Sequence, residues 1–181
     1  LSYTTFDVET VSAGVVNSNC TSETNKLYAK VRVTNTGKFS GKEVVQVYIA
    51  KPQGKLGKPA KELAAFEKTR ELQPGESQLM ILTWEINDMA SYDDLGKVKK
   101  SAYVLEAGSY DIYVGTSVRD VTKADYSYIL NHDVITEQLS AKLVPTSLPK
   151  RMLADGSYEA LPQSEPVDTD YSAIGNIDPS L

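Results

Sequence analysis

Residues 26–35 alternate without interruption, with Leu27, Ala29, Val31 and Val33 on one side and Lys30, Arg32 and Thr34 on the other. That period of two predicts a half-buried strand, and Thr36-Gly37 then turns the chain. Residues 43–50 put Val45, Val47 and Ile49 on one side and Val44, Gln46 and Tyr48 on the other, the pattern of a central strand covered on both faces. Further on, Leu63, Phe66 and Leu72 stand among charged neighbours. Gln73-Pro74-Gly75-Glu76 follows, with proline where a turn fixes φ and glycine where φ can be positive. Residues 78–86 and 101–105 read as strands, and 110–114 set Tyr110, Ile112 and Val114 against Asp111 and Tyr113. Residues 127–134 predict one more strand or a segment packed against the sheets. About seven strands emerge, which predicts an all-β sandwich of two antiparallel sheets.

Three stretches break the pattern. Residues 51–61 hold four lysines, two glycines and two prolines, which predicts a solvated loop. Residues 86–100 form a second insertion, in which 87–92 predict one helical turn capped by Asn87. After Ser140 come five of the eight prolines, Pro145, Pro149, Pro162, Pro166 and Pro179, amid Ser, Asp and Glu. Proline at that density opposes both ladder and helix, so the tail is expected to be extended and ordered only where Leu143, Val144, Met152, Leu153 or Tyr158 meets a surface. The division expected is a sandwich over 1–136 and a linker or tail over 137–181 packing on neighbouring domains.

Composition narrows the class. A chain of 181 residues exceeds the roughly 100 a two-sheet core requires, so a spare segment is expected. The net charge of -5, with lysines spread among carboxylates, argues against a nucleic-acid partner. No apolar run approaches the roughly 18 residues of a membrane span, and no signal peptide is visible. Cys20 stands alone, so no internal disulfide can form and a reducing, cytoplasmic setting is favoured, with secretion left open. Asn19-Cys20-Thr21 is read as a chance match to a glycosylation acceptor.

Several ordered motifs resemble one family. Pro59-x-Lys61-Glu62-Leu63-x-x-Phe66, followed by Leu72-x-Pro74-Gly75-Glu76-Ser77, is similar to the fibronectin type III-like domain that closes family 3 glycoside hydrolases, the β-glucosidases and their relatives. Leu1-Ser2-Tyr3-Thr4-Thr5-Phe6 resembles the start of that domain. The strand and turn over 31–37, the Gly-x-Glu-Val-Val-Gln-x-Tyr pattern over 41–48 and Gly-Ser-Tyr-Asp-Ile-Tyr-Val-Gly over 108–115 complete it. The resemblance spans about the first 120 residues. It implies a fibronectin III/immunoglobulin-like sandwich acting as a non-catalytic structural module of a bacterial β-glucosidase that hydrolyses terminal β-D-glucosyl residues. Its implied partners are the (β/α)8 barrel and α/β sandwich domains of the same enzyme, with an oligomer open through the parent. Residues 134–140 look like the exit segment of bacterial members in which the module precedes the barrel.

The chemistry agrees with a scaffold. Retaining glycosidases use two carboxylates about 5–5.5 Å apart, and in the resembling family both lie in other domains, so no catalytic residue is expected here. Glu62, Glu67, Glu71 and Glu76 alternate with lysine and arginine as solvated charges do, and Asp93-Asp94 beside Tyr92 is read as a solvated loop. His132 is the only histidine, so neither a Cys/His zinc set nor a multi-histidine site can form, and a Cys20–His132 pair is not favoured. The Gly54 to Pro59 run fails the phosphate-loop spacing, and Asp168-Thr169-Asp170 lacks the glycine a calcium loop requires. No metal or cofactor is expected. The candidate interdomain or substrate-rim contacts are Lys51, Lys55, Lys58, Lys61 and Tyr92. Two rivals stay open: a bare spacer, and a carbohydrate-binding or adhesion module using exposed faces among Tyr48, Trp84, Tyr92, Tyr103, Tyr110 and Tyr113.

Overall fold

The computed structural model describes residues 3–16, 25–140, 149–153 and 155–160. Expectations resting on Leu1, Ser2, Asn19, Cys20, Leu143, Val144 and Asp168 to Asp170 lie outside those residues. The chain divides into two compact units.

The first unit is the sandwich. Strands β1 (Phe6–Val15), β2 (Lys26–Asn35) and β5 (Ser77–Glu85) form one sheet in the order β1-β2-β5. Strands β3 (Val44–Ala50), β4 (Glu62–Lys68), β8 (Gly108–Ser117) and β9 (Asp120–Leu130) form the other, in the order β4-β3-β8-β9. Three strands and four give the expected seven, all antiparallel. The alternating apolar faces meet inside: Leu27, Val31 and Val33 face Val45, Val47 and Ile49, with Leu82, Trp84, Tyr110 and Ile112 completing the core. Burying a side chain of this size contributes about 1.5–3 kcal/mol.

A buried asparagine organises one end of the core. Asn35 closes β2, and its Nδ2 donates to the carbonyls of Phe39 and Leu72, both at 2.8 Å. Its Oδ1 accepts from Thr4 Oγ1 at 2.7 Å and from the Gly37 amide at 3.0 Å. The backbone of Asn35 also holds the Pro74-Gly75 turn, accepting from the Gly75 amide at 2.8 Å and donating to Glu76 O at 2.9 Å. Gly75 has φ of +79°, the conformation its place in the turn requires. The Gly41–Leu72 bridge lies beside it.

In the second unit, β6 (Ser91–Asp93), β7 (Ala102–Leu105) and β10 (Val134–Gln138) form a small sheet ordered β10-β7-β6. The strand over 102–105 therefore belongs here, and β1 and the length of β9 make up the sandwich count. A single 3-10 turn at Asn87–Met89 precedes β6. Asn87 does not cap it: Ile86 occupies the capping position with no side-chain bond, and residues 91–93 are already extended.

Asp93 departs from the solvated-loop expectation. It is fully buried, and its Oδ1 accepts from the Gly96 and Lys97 amides at 2.7 and 3.0 Å while Oδ2 accepts from Val98 and Lys99 at 2.7 and 2.8 Å. Beyond β10, residues 150–152 (β11) and 158–160 (β12) pair as a hairpin, in an interval that holds no proline. Of the expected anchors among the described residues, Met152 and Tyr158 are exposed and Leu153 is half-buried. Charge orders the hairpin instead: the Arg151 guanidinium reaches both oxygens of Asp94 at 3.1 and 3.0 Å and binds Glu159. A bidentate guanidinium–carboxylate contact fixes orientation better than a point charge can.

Candidate interdomain surface

The lysine-rich loop over 51–61 is a packed element of the first unit. Lys51 leaves β3 with its side chain 4 % exposed and its ammonium 2.5 Å from Glu62 Oε2. Lys58 folds back under the loop, donating to Pro52 O at 2.7 Å and forming an ion pair with Glu106. Leu56 is buried beside it. Lys55 is exposed and reaches Asp133 Oδ2 at 3.4 Å, while Lys61 Nζ lies 4.7 Å from the centre of the Tyr113 ring, within cation–π range. The solvated loop expected from composition is thus held by internal ion pairs, because its lysine stems are long enough to bury methylenes and still reach a carboxylate.

Glu106 is the hub. Its Oε1 accepts from the Lys55 amide at 2.6 Å and its Oε2 from the Leu56 amide at 3.1 Å, in addition to Lys58. Tyr110, buried in the core, donates its hydroxyl to Glu106 O at 2.9 Å, and burial pushes the phenol well above its ordinary pKa, with the Glu106 charge adding to the effect. Gly54 must be glycine for the same reason: a Cβ there would lie 2.5 Å from Glu106 Oε1. Asp133 accepts from the Ala107 amide at 2.8 Å, and that bond, aided by Lys55 against the cost of desolvation, holds its carboxyl below the usual range.

The aromatic set divides. Trp84 and Tyr110 are core residues, whereas Tyr48 and Tyr113 are partners across β3 and β8, on the face pointing away from the core. In the second unit Tyr92 and Tyr103 pair across β6 and β7, with ring centres 5.5 Å apart at 57° and both rings partly exposed. Rings tilted in this way do not make one flat row for a pyranose. His132 is exposed at the end of β9.

Residues 43–118 match the family model described as a fibronectin type III-like domain. The chain is 58 % identical to the β-glucosidase A of Butyrivibrio fibrisolvens over 96 % of its own length and 22 % of that protein's. It is 40 % identical to a β-glucosidase of Ruminococcus albus, over 91 % of the chain and 17 % of the relative. A crystal structure of a β-glucosidase from Paenibacillus barengoltzii superposes with a TM-score of 0.74 at 44 % identity, covering 88 % of this chain and 18 % of that one. The chain carries a fibronectin type III-like domain of the family 3 β-glucosidases. It spans about a fifth of the length of these relatives, so it corresponds to one domain-sized part of a larger enzyme.

Within this fibronectin type III-like domain the sequence pointed to the lysines but not to their carboxylates. Glu106 ends the apolar run 102–105, and a charge at the end of such a run is the signal that would have marked it for an internal partner. Asp133 and Asp93 gave less warning, since acidic residues next to Gly, Lys and His look like ordinary loop composition.

Proposed function

We propose that this fibronectin type III-like domain is the non-catalytic structural module of a family 3 glycoside hydrolase, a β-glucosidase acting on terminal β-D-glucosyl residues. Its work is to hold the catalytic domains, a (β/α)8 barrel and an α/β sandwich, in fixed relation. The observation that carries this reading is the lopsided match: 96 % of the chain aligns with only 22 % of a β-glucosidase. Domain interfaces of this type cover about 600–1,500 Å², enough to restrict motion without chemistry of their own. We further infer that residues 137–181 serve as an interdomain linker, and that the parent enzyme works in the cytoplasm.

The test compares the full-length gene product with the 181-residue chain on an aryl β-glucoside. Hydrolysis is expected only from the former, and removal of the module from the full-length product should lower its unfolding temperature. Turnover by the isolated chain above the buffer rate would overturn the assignment. A gene that ends at Leu181 would overturn the linker and leave the module reading standing.

A further inference from the structure

Residues 3–5 and 36–39 line an open cleft of about 400 Å³, within the size range of small-molecule sites. The two segments are tied together from behind by the Asn35 amide group, which is fully buried and bonded to Thr4 Oγ1, the Gly37 amide and Phe39 O. Thr5 O accepts from the Thr36 and Gly37 amides at 2.9 and 3.2 Å, and the Thr5 and Thr36 hydroxyls lie 3.0 Å apart at the surface. Gly37 permits this approach, since a Cβ there would overlap Thr4 Oγ1. Support of that kind holds lining groups in place before a ligand arrives.

The cleft carries two exposed rings, Tyr3 at 89 % and Phe39 at 63 %. The rest of the lining is threonine, glycine and Lys38, with no carboxylate and no aliphatic side chain. A hard-cation site draws on carboxylates, a polyanion needs more than one lysine, and the cores of protein interfaces are depleted in lysine. The lining instead suits an uncharged ligand with apolar faces and a rim of hydroxyls. A β-linked glucosyl unit has its substituents equatorial, so C–H bonds cover both faces, where the negative face of an aromatic ring attracts them, and hydroxyls form the rim.

We propose that this cleft is a binding subsite for a short β-linked gluco-oligosaccharide, with Tyr3 and Phe39 taking the faces of the sugar rings and Thr5, Thr36 and Lys38 bonding the hydroxyls. Its role is to retain longer substrate chains on the enzyme. The choice of glucosyl units rests on the reading of the chain as a β-glucosidase module, whereas the neutral, polyhydroxylated class rests on the lining.

Cellotriose titrated into the 181-residue chain and followed by amide NMR should shift residues 4–5 and 36–39, with maltotriose binding several-fold more weakly. Tyr3→Ala and Phe39→Ala, which remove exposed rings and keep every backbone bond, should weaken cellotriose binding several-fold at unchanged unfolding temperature. Phe66→Ala, at a similarly exposed ring on β4, should not. In the full-length gene product Phe39→Ala should raise KM for cellohexaose several-fold and leave KM for an aryl β-glucoside unchanged, a split that a merely structural ring would not produce. No shift at residues 36–39, an equal response to maltotriose, undiminished affinity in the ring variants, or an unsplit KM would overturn the subsite. Each would leave the module reading standing, because that reading is decided by hydrolysis in the full-length product.

Discussion

Lys58 and Glu106, 48 residues apart in sequence, form an ion pair whose side chains are 1 % and 4 % exposed, and this pair pins the 51–61 loop to the sandwich. Isolated buried charges of this sort are unfavourable, so each depends on the other. Lys58→Met should therefore cost about 3–5 kcal/mol by leaving the Glu106 carboxylate uncompensated. Combining it with Glu106→Gln should recover part of that loss, because the glutamine oxygen can still accept from the Lys55 amide. Urea denaturation of the four proteins of the cycle measures the coupling, and strict additivity would show that the pair is not coupled.

Gly54→Ala probes the same contact from the loop side. The added methyl would lie 2.5 Å from Glu106 Oε1 and must displace it, whereas a Cβ at Gly57 meets nothing within 4 Å. Gly54→Ala should destabilise by roughly 1–3 kcal/mol, as overpacking does, and Gly57→Ala should change stability little. Equal effects at the two positions in thermal unfolding would count against the packed loop.

Asn35 gives a prediction in which pH has a sign. Asn35→Ala removes the donor from the Leu72 and Phe39 carbonyls and should cost about 1–3 kcal/mol for each acceptor left buried and unpaired. Asn35→Asp should be worse at neutral pH, because an ionised carboxylate would face those two carbonyl oxygens. Burial and that repulsion would raise its folded pKa, so the deficit should shrink as pH falls and the group takes up a proton. Denaturant midpoints at pH 4.5 and 7.5 compare the two variants.

Asp93 behaves in the opposite sense. Burial works against its ionisation, but the amides of Val98, Lys97, Lys99 and Gly96 together outweigh that and lower its pKa. A group whose folded pKa is depressed contributes stability present above its unfolded value of about 3.9 and lost as pH drops through the folded value. Hydrogen exchange at residues 96–99 should accelerate in that acidic window beyond the intrinsic pH trend. Asp93→Ala should show the same open loop at neutral pH, and amides as protected in that variant as in the wild type would refute the arrangement.

Much of the sandwich was legible before the structure. Leu27 to Val33 and Val45 to Ile49 alternate with period two because each strand has one face toward the core, and sequence records that directly. The Pro74-Gly75 turn was legible too, since its backbone requirement is local. The 51–61 loop was not, because lysine and glycine composition reads as solvation unless the partners are known.

The sequence by itself determined the strand periods, the tight turn and the family, all of which depend on neighbouring residues or on ordered motifs. Only the tertiary structure decided that Lys51, Lys58 and Asp93 are buried and that Trp84 Nε1 has no acceptor among the described residues, because a charge or donor is tolerated inside according to partners brought from elsewhere in the chain. Glu106 lies 48 residues from Lys58, a separation at which pairing is fixed by β3 and β8 being neighbours in one sheet and not by any local pattern.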